Sequence, residues 1–331
     1  MIVLGIETSC DDTAAAIIKD VQCLSSIVFS QDSVHAEYGG VVPELASRNH
    51  IKNIFPAVRK SMEDAGVTVE DLDGIAATFG PGLIGSLLVG LEFAKALAKS
   101  KEIPFVAVNH LDGHLSAVHL LKRPVPYPHL GLVISGGHTS IFRVSGPGDY
   151  KLLGATRDDA AGEAFDKAAK MLGLGYPGGY KIAALAAKGD KHAIKLIRDI
   201  PLKGSLDFSF SGLKSAFRRH IEKNGIPTGR GIEDLAASFQ GAVIDAILYR
   251  VRLAIGQEAP RAIVATGGVA ANKELRTALT DVAKETKIDI LLPPPDLCTD
   301  NAAMVAVAGK RKLERHELSS LEIEASARAL L

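Results

Sequence analysis

Only three cysteines occur in 331 residues, Cys10, Cys23 and Cys298, with no CxxC pair and no even framework. That scarcity excludes a disulfide-stapled secreted scaffold and suits a reducing cytosol. Charge of one sign is lacking too. Lys plus Arg total 38 and Asp plus Glu total 38, a formal net charge of zero. Such a chain has no overall field to grip a polyanion, so a nucleic-acid substrate requires a local basic patch or a basic partner. The opening MIVLGIETSCDD has no basic segment and reaches Glu7 after a few apolar residues, unlike a signal peptide. The uncharged run from Gly74 to Leu91 holds five glycines and a proline. It reads as buried strand–turn–helix, not as a membrane span. A cytoplasmic protein without membrane attachment is expected. With 47% hydrophobic and 23% charged residues the chain is globular, and its length favours two lobes.

What is present repeats itself. LGIETSCDDTAAAII runs as an apolar strand, turns through small polar residues and resumes as a strand, and LGLVISGGHTSIFRV does the same. Leu4 and Leu130, Gly5 and Gly131, Ser9 and Ser135, Thr13 and Thr139 share one offset. GIAAT (74–78) then leads through GPG into an apolar helix, and AIVAT (262–266) leads through GG into VAANKELRTAL. Each half is thus a hairpin followed by a strand–glycine–helix unit. This predicts a two-lobed α/β fold of the actin-like ATPase (ASKHA) type with duplicated mixed-sheet subdomains. The first lobe is expected over 1–110, with a C-terminal helix at about 300–325 packing back on it. The second is expected over 111–299, with a helical insertion at about 150–235.

His110 and His114 follow the apolar strand IPFVAV. A spacing of four puts both imidazoles on one helical face, which suits metal chelation and equally suits surface or capping roles. Leu111 stands where a HExxH peptidase needs its general-base glutamate, so a thermolysin-like peptidase is not supported. DLCTDNAAM (296–304) places Asp300 and Asn301 at a helix start, as a third metal ligand or as a plain cap. Two histidines and a carboxylate with open positions suit iron(II) or zinc.

Three glycine turns are candidate anion sites. SGGHT (135–139) can present backbone N–H groups or form a simple hairpin. TGGVAAN (266–272) leads from strand to helix, where amides and dipole favour an anion. GPGLIG matches GxGxxG, but the next strand ends in Asn109-His110 without the acid that a dinucleotide site needs. RDDAAGEAFDKAAKML puts Asp159, Glu163 and Asp166 on one stripe, either a solvated face or a cleft edge with Asp166 reaching a ribose or substrate hydroxyl. In DFSFSGLKSAFRRH, Phe208, Phe210 and Phe217 interleave with Lys214, Arg218 and Arg219. That mixture serves RNA through stacking and phosphate contact, or forms an amphipathic helix with buried phenylalanines.

Together GIETSCDDT, YGGVVPELASRNH, GPGLIGSLLVG, NHLDGH, VISGGHT, DDAAGEAFDK, LGLGYPGG, DFSFSGLK, GGVAANKELR and CTDNAAM resemble the TsaD family, formerly named sialoglycoprotein endopeptidases, and its bacterial branch in particular. The resemblance implies transfer of threonylcarbamoyl from threonylcarbamoyl-AMP to the exocyclic amine of the adenosine 3′ of the anticodon, in tRNAs reading ANN codons. It implies one divalent metal, iron or zinc, on His110, His114 and Asp300 between the lobes, and ATP or ADP in the cleft. Val133, Ile134, Ser135, Gly136, Gly137, Asp166, Gly179 and Asn272 match the family's substrate or nucleotide contacts. Its partners are tRNA, a degenerate TsaB-like paralogue and a TsaE-like P-loop ATPase. Asp11 and Asp12, beside the first turn, are the candidates to orient or deprotonate the incoming amine. Tyr180 and Ala183 depart from the family pattern, which usually has proline and often aspartate there.

Overall fold

The computed structural model describes residues 1–197 and 200–331. They form two compact units, Met1–Val125 with Pro293–Leu331, and Pro126–Leu292. The first unit contains β1 (Ile2–Glu7), β2 (Asp12–Lys19), β3 (Gln22–Ser30), α1 (Asp32–Ala36), α2 (Pro43–Ala65), β4 (Gly74–Gly80), α3 (Ile84–Lys101), β5 (Phe105–Asn109) and α4 (His110–Ser116). Its five strands are ordered β3-β2-β1-β4-β5. β1 runs antiparallel to β2 and parallel to β4. The near-continuous apolar runs of β1 and β4 follow from burial on both faces.

The second unit contains β6 (His129–Ile134), β7 (Thr139–Gly146), β8 (Asp149–Ala155), α5 (Ala161–Met171), α6 (Gly179–Ala186), α7 (Ser211–Asn224), α8 (Arg230–Glu258), β9 (Ala262–Thr266), α9 (Lys273–Thr286) and β10 (Asp289–Leu291). Its sheet order, β10-β9-β6-β7-β8, is the first unit's plan repeated. The register repeats as well. Leu4 pairs with Ile17 and Ile75, and Leu130 pairs with Arg143 and Ile263. The expected insertion at 150–235 opens inside β8, which belongs to the sheet, and becomes helical from α5 onward.

The chain then returns to the first unit with α10 (Pro295–Cys298) and α11 (Ala302–Glu314). Residues Ala302 to Ala308 are all buried against β1, β2, β4 and β5 side chains such as Val3, Ala16, Ala76 and Val108. Gly5 permits this close approach, because a Cβ there would collide with the Ala302 carbonyl. The helix expected over 300–325 stops at Glu314. Beyond it the chain lies along the sheet, with Ser319 N donating to Phe105 O at 3.0 Å and Ser326 N to Phe79 O at 2.8 Å. No helix among the described residues is long and apolar enough to cross a membrane.

Candidate active site

β5 delivers the two histidines. Asn109 ends the strand and caps α4, its side chain accepting from Leu111 N at 2.9 Å. His110 and His114 then stand one turn apart, their rings edge-on with centroids 4.7 Å apart. Asp300 arrives from the turn before α11, its Oδ1 3.1 Å from His114 Nε2 and 3.6 Å from His110 Nε2. Capping of α11 falls to Asn301, which accepts from Met304 N at 3.0 Å. The Asp300 carboxylate lies beside both histidines. The three residues offer ligand atoms within 4.8 Å of one another.

Both histidines are buried. Neither ring nitrogen of His114 makes a hydrogen bond among the described residues. A buried polar nitrogen without a partner costs roughly 1–3 kcal/mol, and a cation would remove that cost at Nε2. The donor set, two imidazoles and a carboxylate, fits zinc or iron(II). All three residues belong to the first unit.

Glu7, absent from the sequence-derived candidates, lies beneath this group. It is 1% exposed. Its Oε1 accepts from Ser9 N at 2.5 Å, its Oε2 accepts from Thr78 Oγ1 at 2.6 Å, and His110 Nδ1 lies 3.1 Å from Oε2. Burial opposes a charged His110, but the Glu7 and Asp300 carboxylates overcome it and push its pKa up to about 9. Burial likewise opposes a charged Glu7, and the neighbouring His110 holds that carboxyl below its usual range.

Asp11 and Asp12 sit where the β1–β2 turn enters β2. His50 of α2 holds this turn: its Nε2–H donates to Cys10 O at 3.0 Å, and its Nδ1 accepts from Thr13 Oγ1 at 2.8 Å. Burial, then Asp11 and Asp300, push Asp12 up to about 7. Burial and the same acids raise the Cys10 thiol far above its usual range, which rules it out as a thiolate nucleophile at neutral pH.

The remaining candidates belong to the second unit. Val133 and Ile134 end β6, and Ser135, Gly136 and Gly137 turn into β7, with Ser135 N donating to His138 O at 2.7 Å. Gly162 N, at the start of α5, donates to Ser135 O at 3.1 Å. Gly267, at φ +93°, lies against the Ile134 carbonyl, where only a glycine fits. One turn along α5 from Gly162, Asp166 Oδ1 accepts from Gly178 N at 2.7 Å, beside Gly179 at the start of α6. Gly162 and Asp166 on α5 thus tie the SGG turn and the GYPGG turn to one helix. Asn272 follows the TGG turn and opens α9. It caps α9 through Leu275 N at 3.1 Å, and its Nδ2 donates to Gln240 Oε1 at 2.7 Å. Tyr180 is exposed, with Lys181 Nζ 5.6 Å from its ring centre.

The RNA-stacking alternative for 207–220 does not hold. Phe208, Phe210 and Phe217 are all buried. Buried Arg250 fastens the strip, its Nε donating to Asp207 O at 2.8 Å and its guanidinium lying 5.4 Å from the Phe208 ring centre.

The duplicated five-stranded plan is an α/β fold of the actin-like ATPase (ASKHA) type. Two solved structures share it. One is the activator of the 2-hydroxyisocaproyl-CoA dehydratase from Clostridium difficile with bound ADPNP, with a TM-score of 0.55 and 16% identity over 97% of this chain and 99% of that one. The other is full-length HypF in its phosphate- and nucleotide-bound form, with a TM-score of 0.61 and 13% identity over 96% of this chain and 56% of that one. Sequence similarity is more specific. The model of the TsaD family, described as tRNA N6-adenosine threonylcarbamoyltransferase, matches residues 22–307. A tRNA N6-adenosine threonylcarbamoyltransferase of Anaeromyxobacter sp. (strain Fw109-5) is 50% identical over 327 residues, 98% of each chain. The chain belongs to the TsaD family and is an acyltransferase of tRNA modification.

Proposed function

We propose that the protein transfers threonylcarbamoyl from threonylcarbamoyl-AMP to the N6 amine of the adenosine 3′ of the anticodon in tRNAs reading ANN codons, releasing AMP. The observation that carries the metal-assisted form of this reading is His114, a buried imidazole without a hydrogen bond, 3.1 Å from the Asp300 carboxylate. His110, His114 and Asp300 would hold one divalent ion, Fe2+ or Zn2+, which supplies Lewis-acid charge neutralisation when bound. The amine nitrogen forms a bond to the carbamoyl carbon, and the bond from that carbon to the phosphate oxygen breaks. AMP departs with the electron pair. Asp12, with a pKa near 7, accepts the amine proton, and Asp11 beside it orients the nucleophile. Val133 to Gly137, Asp166, Gly179 and Asn272 are assigned to the substrate or to ATP or ADP, with backbone amides of the glycine turn serving as anion donors.

The neutral net charge suits a subunit that shares tRNA with partners in the cytoplasm. An exposed apolar set, Ile51 and Phe55 on α2 with Ile84 and Leu88 on α3, is the face we assign to the TsaB-like paralogue. The TsaE-like ATPase completes the system.

The test incubates wild-type and His110→Ala protein, each with its partners, with synthetic threonylcarbamoyl-AMP and unmodified tRNA, then analyses the nucleosides. Wild type is expected to yield threonylcarbamoyladenosine and the variant to lose at least ~100-fold in rate. A His110→Ala protein that modified tRNA at the wild-type rate would refute the metal role.

A further inference from the structure

We propose that Glu7 is a positioning residue for His110, fixing the imidazole so that Nε2 is the nitrogen presented to a divalent cation. The inference rests on the metal reading of His110, His114 and Asp300. Neutral imidazole carries one donor and one acceptor, and the partner of one nitrogen decides the role of the other. In the neutral ring, Glu7 Oε2, 3.1 Å from Nδ1, takes the N–H there, with Ser9 Oγ 3.2 Å from the same nitrogen, and the Nε2 lone pair is left on the Asp300 side.

The carboxylate is itself held. Ser9 N from the turn after β1, Thr78 Oγ1 from β4 and His110 from α4 surround it, so it cannot rotate away. The duplication supplies an internal control. At the shared offset, the counterpart of Glu7 on β6 is Val133, and the sheet there forms with an apolar residue. The fold therefore does not require an acid at the end of this strand. An unpaired buried carboxylate would be costly, and what Glu7 gains in return is the orientation of one imidazole. Partners of this kind on metal-bound histidines typically change metal affinity by ~10–100-fold.

The experiment strips the full-length protein with a chelator and measures Zn2+ affinity by chelator competition alongside the melting temperature. Glu7→Gln is expected to bind Zn2+ ~10–100-fold more weakly than wild type. Thr78→Val, which removes only the hydroxyl that holds Glu7, is expected to weaken binding in the same direction by a smaller factor. Ile75→Ala, a core lesion in the adjacent strand, is expected to lower the melting temperature and leave Zn2+ affinity unchanged. Wild-type affinity in Glu7→Gln, or an equal loss in Ile75→Ala, overturns the positioning role. Should Glu7→Gln show no melting transition, unchanged affinity in Thr78→Val overturns it. Wild-type protein without measurable Zn2+ binding refutes instead the metal reading on which this role depends.

Discussion

Asp300 and Asn301 are neighbours with different work. Asn301 caps α11, and Asp300 reaches both histidines. The sequence left Asp300 open between cap and ligand, since either residue type suits a helix start. The His110–His114 pair was legible because i, i+4 spacing fixes a shared face. Glu7 was not, because it reads as one acid closing an apolar strand and its partners Thr78 and His110 lie 71 and 103 residues away. Asp12 yields a prediction with a definite sign. Its folded-state pKa, about 7, lies above that of an exposed aspartate, so folding favours the protonated form. The cost of charging it in the fold grows as pH rises from about 4 to about 7 and then levels off. In metal-free protein, Asp12→Asn is therefore expected to raise the melting temperature at pH 8 and to change it much less at pH 5. The same variant should slow threonylcarbamoyl transfer by ~100-fold or more. Equal melting shifts at both pH values would show that Asp12 is not raised.

At the scale of elements, α7 shows why pattern alone misleads. Alternating phenylalanines and basic residues satisfy both an RNA platform and an amphipathic helix, and only burial decides between them. Phe208 and Phe210 precede the helix in a strip bridged to β8, with Phe208 N donating to Ala155 O at 3.0 Å. Burial also separates the two faces of α2. His50, Ile54 and Ala57 turn inward, whereas Ile51 and Phe55 face solvent at 65% and 59% exposure. On α3 the corresponding exposed residues are Ile84 and Leu88. Gly85 lies against Ser47 of α2, bringing these stripes side by side. A charge at this face should disrupt association without damage to the core. Phe55→Asp is expected to abolish co-purification with the TsaB-like paralogue and to shift the melting temperature by less than a few degrees, as surface substitutions usually do. Undiminished co-purification would move the partner to another face.

Across the whole chain, the duplication was the most legible feature. The shared offset of Leu4 with Leu130 became the same strand order and the same register in both sheets. Hairpin periodicity is local, so it survives in the sequence. The return of α11 to the first unit is not local, and only its alanines, with Ala302 and Ala306 packed over Gly5, record it. That return brings Asp300 to the histidines of α4 and makes one centre from residues nearly two hundred positions apart. The most direct test of that centre is threonylcarbamoyladenosine formation by chelator-stripped protein and its partners, with synthetic threonylcarbamoyl-AMP, before and after one equivalent of Fe2+ or Zn2+. The stripped protein is expected to be inactive and the reloaded protein active. Full turnover by protein shown to hold no metal would contradict the account.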